Sequence, residues 1–351
     1  MSAAVGEKQD SGAAQRSDAP TGPGPLLVDA RSPQARETLL GLKGYERSLL
    51  AAKHAGCTPL HVLACPDSLP ELRSFASDPR LGEVPLDIHR DEDQVPLVPR
   101  VDGGAVIDKA AAAALARGED PAAAGLYLAP DAPRRRQQLL RSLENPCDGL
   151  VDTWVNRPLS RLMTRALVGT GISPNAVTLI SFLVGLVGVA LIATRRFELA
   201  LLGALVFQLS AAIDCVDGEI ARLTYRFSPL GARLDIALDN VVHVILFGVL
   251  GWAAVPLLGA PLALGLGAVA ALGGLLSFLV VYRLTFGDAG GPQGRIRRLL
   301  DKVTNRDFSL LVILAAATGR FDLLLGVIAC GTHVFWLALL AVARSERAPA
   351  S

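Results

Sequence analysis

Four aspartates set in otherwise apolar sequence are the residues most able to do chemistry: Asp214 and Asp217, three apart, and Asp235 and Asp239, four apart. Each spacing puts both carboxylates of a pair on one helix face. Ionisable groups inside membrane helices are costly, so four together demand a function or a counter-ion. Converging carboxylates repel unless protonated or bound to cations, and hard oxygen ligands suit Mg²⁺ or Mn²⁺. The natural partner of such a site is a diphosphate, with two divalent ions clamping the attacked phosphorus and the leaving phosphate, and Arg222 offsetting the charge that remains. One carboxylate then serves as general base toward an incoming hydroxyl. Gly218, Ala221 and Gly231 carry no bulk, so another backbone or a ligand can approach closely. An acidic ion pathway through the membrane also tolerates aspartates in spans, which keeps a transporter as the alternative, beside a non-catalytic membrane scaffold. Neither accounts for Gly218, Ala221, Arg222 and Gly231.

The elements that must position these residues are apolar. Of 351 residues 51% are hydrophobic, and the mean hydropathy of +0.40 is too high for an ordinary soluble chain, so a lipid bilayer is an expected partner. Long uncharged runs at 166–194, 240–282 and 323–343 each meet the roughly 20 residues a membrane helix needs. The middle run is long enough for two spans, with Pro256 and Pro261 marking the turn. Residues 199–222 and a short run from Phe308 to about Gly319 bring the expected count to six. Alternate loops then place Arg222, Arg226, Arg233, Arg283, Arg295, Arg306 and Arg344 on one side and only Arg195, Arg196 and Arg320 on the other, a bias that sets both termini in the cytoplasm. Ahead of the first span, Leu159, Leu162, Met163, Ala166 and Leu167 recur at helical spacing opposite Arg157, Arg161 and Arg165. This predicts an amphipathic helix on the inner membrane face, its arginines toward anionic headgroups or a phosphorylated ligand. The 34 basic and 33 acidic residues nearly cancel, which excludes a protein that wraps nucleic acid. Five cysteines form no CxxC pair, so neither a zinc site nor a disulfide framework is expected.

The run Asp214-Cys-Val-Asp217-Gly218-Glu-Ile-Ala221-Arg222, then Gly231, Asp235 and Asp239, resembles the signature of the CDP-alcohol phosphatidyltransferase family, with eight fixed residues over 26 positions and no departure. The entrance Ser173-Pro174-Asn175 to Thr178 fits as well. The resemblance implies a six-helix membrane domain, usually a homodimer, that uses a divalent cation to move a phosphoalcohol group from a CDP-alcohol to an acceptor hydroxyl and releases CMP. Carried to matching positions, Asp214, Asp217, Asp235 and Asp239 are metal ligands and Asp239 is also the catalytic base. Gly218, Ala221, Arg222, Ser228 and Gly231, with Asn175, are expected at the CDP-alcohol. Donors in keeping with this are CDP-diacylglycerol and CDP-inositol, and acceptors are a polyol or polyol phosphate whose phosphate would meet Arg283 and Arg306.

The first half is a different object, with 17 basic against 21 acidic residues in 1–150 and 17 against 12 thereafter. Residues 1–25 are rich in small and charged residues and read as a disordered tail. Strands at 26–28, 60–63, 95–101 and 125–128, with helices at 46–54 and 105–117, give a βαβ rhythm and an α/β domain over 26–135. A linker and the interfacial helix would fill 136–170, and the membrane domain 171–345. Residues 41–59 and 98–116, and the junction 145–160, resemble the nucleotidyltransferase-like domain fused ahead of the transferase in di-myo-inositol phosphate phosphate synthase-like proteins. Yet the first strand runs into Arg31-Ser32-Pro33, where an active nucleotidyltransferase needs a Gly-rich loop of backbone amides. The domain is therefore expected to be inactive, with Asp102 an exposed loop residue rather than a remnant metal ligand, and to dock, regulate or position the membrane domain.

Overall fold

The computed structural model describes residues 22–143, 149–287 and 308–347. It divides into two compact units, one built from residues up to Glu37 with Lys43–Ala132, the other from Thr38–Leu42 with Pro133 onward.

The first unit carries a four-stranded parallel sheet of order β5-β4-β1-β6, formed by β1 (Leu26–Asp29), β4 (Leu60–Leu63), β5 (Leu86–His89) and β6 (Arg100–Asp102). With it go α1 (Pro33–Arg36), α2 (Gly44–Ala55) and α3 (Leu69–Phe75), while the short β2 (Thr38–Leu39) and the first residue of β3 (Leu42–Lys43) fall in the segment assigned to the second unit. Then follow β7 (Val106–Ile107), α4 (Lys109–Ala116), α5 (Pro121–Ala124) and β8 (Tyr127–Leu128). Leu26, Leu60, Val62 and Leu63 are fully buried, as strands covered on both faces must be. The crossover helix α2 opens with the Glu46 carboxylate accepting the Lys43 N–H at 2.9 Å and stops at Gly56, whose φ of +84° suits only glycine comfortably. The expected βαβ rhythm is present, with three corrections. The strand expected at 95–101 survives only as β6, because Pro96 and Pro99 have no N–H to donate to a ladder. The helix expected from Ala105 begins at Lys109, where Asp108 Oδ1 accepts the Ala111 N–H, and Val106–Ile107 instead pairs antiparallel with β8. Edge strand β5 has no strong apolar pattern and was not expected.

The second unit is helical: α6 (Arg135–Arg141), a π-helical turn at Asp152–Asn156, α7 (Arg157–Leu167), α8 (Pro174–Ala193), α9 (Phe197–Thr224), α10 (Pro229–Leu258), α11 (Ala260–Phe286), α12 (Phe308–Thr318) and α13 (Phe321–Arg347). Five of these, α8 to α11 and α13, are long and apolar enough to cross a membrane, whereas α12 has 11 described residues. The apolar run at 166–194 is split, since α8 begins afresh where Ser173 Oγ accepts the Ala176 N–H at 3.2 Å. The turn inside 240–282 falls at Gly259, φ +77°; Pro256 stays within α10 and Pro261 sits in the first turn of α11. Glycines allow the closest crossings. A Cβ on Gly203 would lie 2.5 Å from the Gly188 carbonyl oxygen, and one on Gly251 would lie 2.8 Å from Gly267 Cα.

The helix α7 is present, with Arg165 exposed and Arg161 half-buried but with a buried polar face that was not expected. Arg157, Ser160 and Thr164 are buried, while Leu162 and, in the preceding turn, Trp154 are exposed. Spacing gives the faces of a helix, but with lipid as solvent the apolar face can point outward and polar groups can seek partners inside. Met163 and Leu167 still pack on Val177, Val216 and Ile220.

Candidate metal and diphosphate site

Helix α9 ends where Tyr225 turns left-handed and donates its N–H to the Ala221 carbonyl. Helix α10 starts at once, because Ser228 Oγ accepts the Gly231 N–H at 2.8 Å. At 1.5 Å rise per residue this turn places Asp217 and Asp235 at matching depths of about 10 Å from the helix ends, with Asp214 and Asp239 about 15 Å in. Asp214, Asp217 and Asp235 each present a carboxylate oxygen within 4.8 Å of the others. Asp214 and Asp217 are buried. Helix α8 supplies hydroxyl donors, Thr178 Oγ1 to Asp217 and Ser181 Oγ to Asp214 Oδ1 at 3.4 Å. Three converging carboxylates in an apolar bundle, two of them taking hydroxyls from α8, fit a hard divalent cation.

Three of the four expected ligands, Asp214, Asp217 and Asp235, are thus drawn together. Asp239 stands outside the cluster, about 6 Å further along α10 than Asp235. Its side chain is 47% exposed, its backbone carbonyl lies 2.6 Å from His243 Nδ1, and its Oδ1 lies 3.5 Å from the same nitrogen. Asp239 and Asp214 both line a cavity of about 420 Å³ walled by Phe207, Phe278, Phe308 and Ser277. His243, given no role from sequence, packs its ring 5.7 Å from Phe207 and 6.0 Å from Phe308.

Asn175, Ser228 and Gly231 meet at the start of α10: a Cβ on Gly231 would lie 2.6 Å from Asn175 Oδ1 and 2.9 Å from Ser228 Oγ. The Ser228 oxygen is engaged as a cap, which leaves its proton to donate. Arg222 folds back over Gly218, its Nη1 3.4 Å from the place of a Gly218 Cβ, and Ala221 flanks it. Arg283 lies exposed in the last turn of α11, and Arg306 falls outside the described residues. Sequence reasoning passed over Glu219, which is 1% exposed and accepts from Ser160 Oγ and Thr164 Oγ1, both at 2.7 Å, with Arg157 Nη1 at 3.3 Å. Its position between Gly218 and Ile220 was visible; its donors, some 55 residues upstream, were not.

In the first unit the acidic groups are engaged differently. Asp29 is bound by Arg31 at 3.0 Å and Arg100 at 2.5 Å, and both arginines also reach Glu92. Burial pushes the Asp29 carboxyl up, but the bonds from Arg31 and Arg100 outweigh it and hold the group below its usual range. Ser32 accepts the Ala35 N–H and donates to Asp102 Oδ1 at 2.8 Å. Asp102 also accepts the Gly104 N–H at 2.7 Å, so it is an internal bracket rather than an exposed loop residue.

Residues 171–343 match the family model described as CDP-alcohol phosphatidyltransferase. The chain is 34% identical over 123 residues to the bifunctional IPC transferase and DIPP synthase of Thermococcus kodakarensis, covering 35% of this chain and 27% of that one. It is 31% identical over 137 residues to the archaetidylinositol phosphate synthase of Aeropyrum pernix, covering 39% and 64%. To the phosphatidylinositol phosphate synthase of Corynebacterium glutamicum it is 34% identical over 135 residues, covering 38% and 58%. The matches thus span from about a quarter to under two thirds of these relatives.

Proposed function

From a CDP-alcohol phosphatidyltransferase domain in residues 171–343 of an integral membrane chain, we infer that this protein transfers a phosphoalcohol group from a CDP-alcohol to an acceptor hydroxyl and releases CMP. The observation that carries the reading is the convergence of Asp214, Asp217 and Asp235 within 4.8 Å, beside a cavity into which Asp239 also faces.

Asp214, Asp217 and Asp235 would hold two divalent ions, Mg²⁺ or Mn²⁺, which when bound offset the diphosphate charge and polarise the bond that breaks. Asp239, left outside the cluster and half open, takes the proton of the acceptor hydroxyl. The freed oxygen bonds to the β-phosphorus as the bond to CMP breaks, and CMP leaves with both electrons of that bond. Arg222 bears on the phosphate charge. Asn175, Gly218, Ala221, Ser228 and Gly231 form the seat of the CDP-alcohol, where a Cβ on Gly231 would collide with Asn175 and Ser228. The aromatic cavity wall favours an acyl-bearing donor such as CDP-diacylglycerol entering from lipid, with CDP-inositol as the soluble alternative. The acceptor is a polyol or polyol phosphate, in keeping with the inositol phosphate synthases among the relatives; Arg283 and Arg306 would meet its phosphate.

Six spans complete the domain, α12 included, with both termini in the cytoplasm and two copies forming a homodimer. The first unit makes no CDP-alcohol and positions or regulates the membrane domain, since Arg31 and Arg100 are spent on Asp29 and Glu92 where a nucleotide phosphate would need them. The deciding experiment is CMP release by detergent-purified protein with Mg²⁺ or Mn²⁺, offering each donor with inositol, inositol phosphate or glycerol phosphate. Release with one pair, lost in Asp217→Asn, supports the reading. Folded, metal-binding protein silent with every pair overturns it.

A further inference from the structure

The acidic motif holds a fifth carboxylate that does not face the others. At about 100° per residue, Glu219 lies some 160° around α9 from Asp217 and about 60° from Arg222. It therefore points away from the cluster and toward α7, where Ser160 Oγ and Thr164 Oγ1 donate to it at 2.7 Å and Arg157 Nη1 stands at 3.3 Å. Positions 157, 160 and 164 share one helix face, so a single face of α7 grips one residue of α9. Glu219 is 1% exposed and Arg157 8%, with Ser160 and Thr164 fully buried. A buried ion pair of this kind is weak as a stabiliser, because apolar residues of the same volume would pack at least as well; what it supplies is a unique arrangement.

We propose, resting on the phosphotransfer reading above, that Glu219 is a positioning residue, the key by which α7 fixes the rotation of α9 so that Asp214 and Asp217 turn toward Asp235. Where α9 crosses α8, Gly203 and Gly188 meet as smooth backbone and Gly218 adds no side chain, so the rotation of α9 is set by the side chains that bond it to its neighbours, Asp214 and Asp217 on one side and Glu219 on the other. Any roll that carries Asp217 off the cluster also draws the Glu219 carboxylate away from three donors in a place water does not reach. Two residues separate the key from Asp217 and three from Arg222, too short a helical stretch to absorb a twist between them. Sequence places α7 ahead of the membrane spans as an interfacial helix; in this reading its buried polar face is part of the machinery that aims the metal ligands.

The test uses full-length protein in detergent, with Mn²⁺ alone as the first probe and CMP release as the second. Glu219→Leu should weaken Mn²⁺ binding and slow CMP release, each about tenfold or more, at unchanged helix content and elution volume. Glu219→Gln keeps an oxygen for Ser160 or Thr164 and should recover most of both. Where Glu219→Leu alone fails to fold because the buried Arg157 loses the Glu219 carboxylate, the double variant Arg157→Met/Glu219→Leu removes that charge and should show the same loss. Wild-type Mn²⁺ affinity and turnover in either folded variant would overturn the proposal. Wild-type protein that binds Mn²⁺ yet releases no CMP from any CDP-alcohol sinks the transferase reading, while the Mn²⁺ comparison still decides the role of Glu219.

Discussion

Asp29 and Asp102, at the ends of parallel strands, and Asp214, Asp217 and Asp235, inside a helical bundle, put acids to opposite uses. In the sheet each carboxylate is closed off by its own chain: Arg31 and Arg100 bind Asp29, while Ser32 and the Gly104 amide bind Asp102. In the bundle three carboxylates face one another, and two of them take hydroxyls from Thr178 and Ser181. Neutral donors orient a carboxylate and leave its charge in place, whereas a guanidinium spends it. Acids that converge on one centre remain able to share a cation; one clamped between two guanidiniums has become structure.

The largest effect should come from breaking the open cluster. Asp217→Asn or Asp235→Asn should reduce CMP release by roughly 10³-fold or more and abolish tight Mn²⁺ binding, as loss of several kcal/mol of charge stabilisation requires. Asp239→Asn sharpens the division into three and one. Turnover should fall between about 10²- and 10⁴-fold, the range of a lost general base, while Mn²⁺ titrations stay near wild type. Equal loss of metal affinity in this variant would return Asp239 to the ligand set.

Smaller effects belong to the first unit. The Asp29 carboxyl is depressed in the folded chain, so its stabilisation is present above the ordinary carboxylate range and is lost as pH falls through the folded value. Thermal unfolding of that unit should therefore weaken below about pH 4, and Arg100→Ala should cost about 1 kcal/mol at neutral pH and flatten the acid dependence. A mutant profile that stays parallel to wild type would show that the Arg100 bond carries none of the shift. Least of all, Asp102→Asn should change CMP release by less than about twofold and leave CTP unconsumed, because its oxygens serve Ser32 and Gly104; turnover of CTP in wild type would reverse the comparison.

What sequence revealed and what it concealed follow from the range of the interactions. Eight motif residues within 26 positions are local, and a turn of four residues between α9 and α10 suffices to bring Asp217 and Asp235 together, so the site was legible. The β1–α2–β4 crossover was legible for the same reason, from two apolar strands and a capped helix between them. Glu219 was hidden because its partners are on another helix, and the buried polar face of α7 because periodicity does not tell which groups find partners inside. Strand β5 borrows its stability from β4 rather than from its own composition. Asp239 lies one helical turn beyond Asp235, a displacement that spacing alone states but does not interpret.

The crossing of α8 and α9 bears on how such a chain can change over generations. Gly188 and Gly203 touch so closely that the methyl of alanine on either one meets backbone at 2.5 to 2.8 Å. Exposed positions such as Leu183 and Val187, within about a turn and a half, can drift among apolar residues with little consequence. The gauge of the helical bundle is thus inherited through two atoms the sequence leaves out, and mutation can explore almost everything around that crossing except the crossing itself.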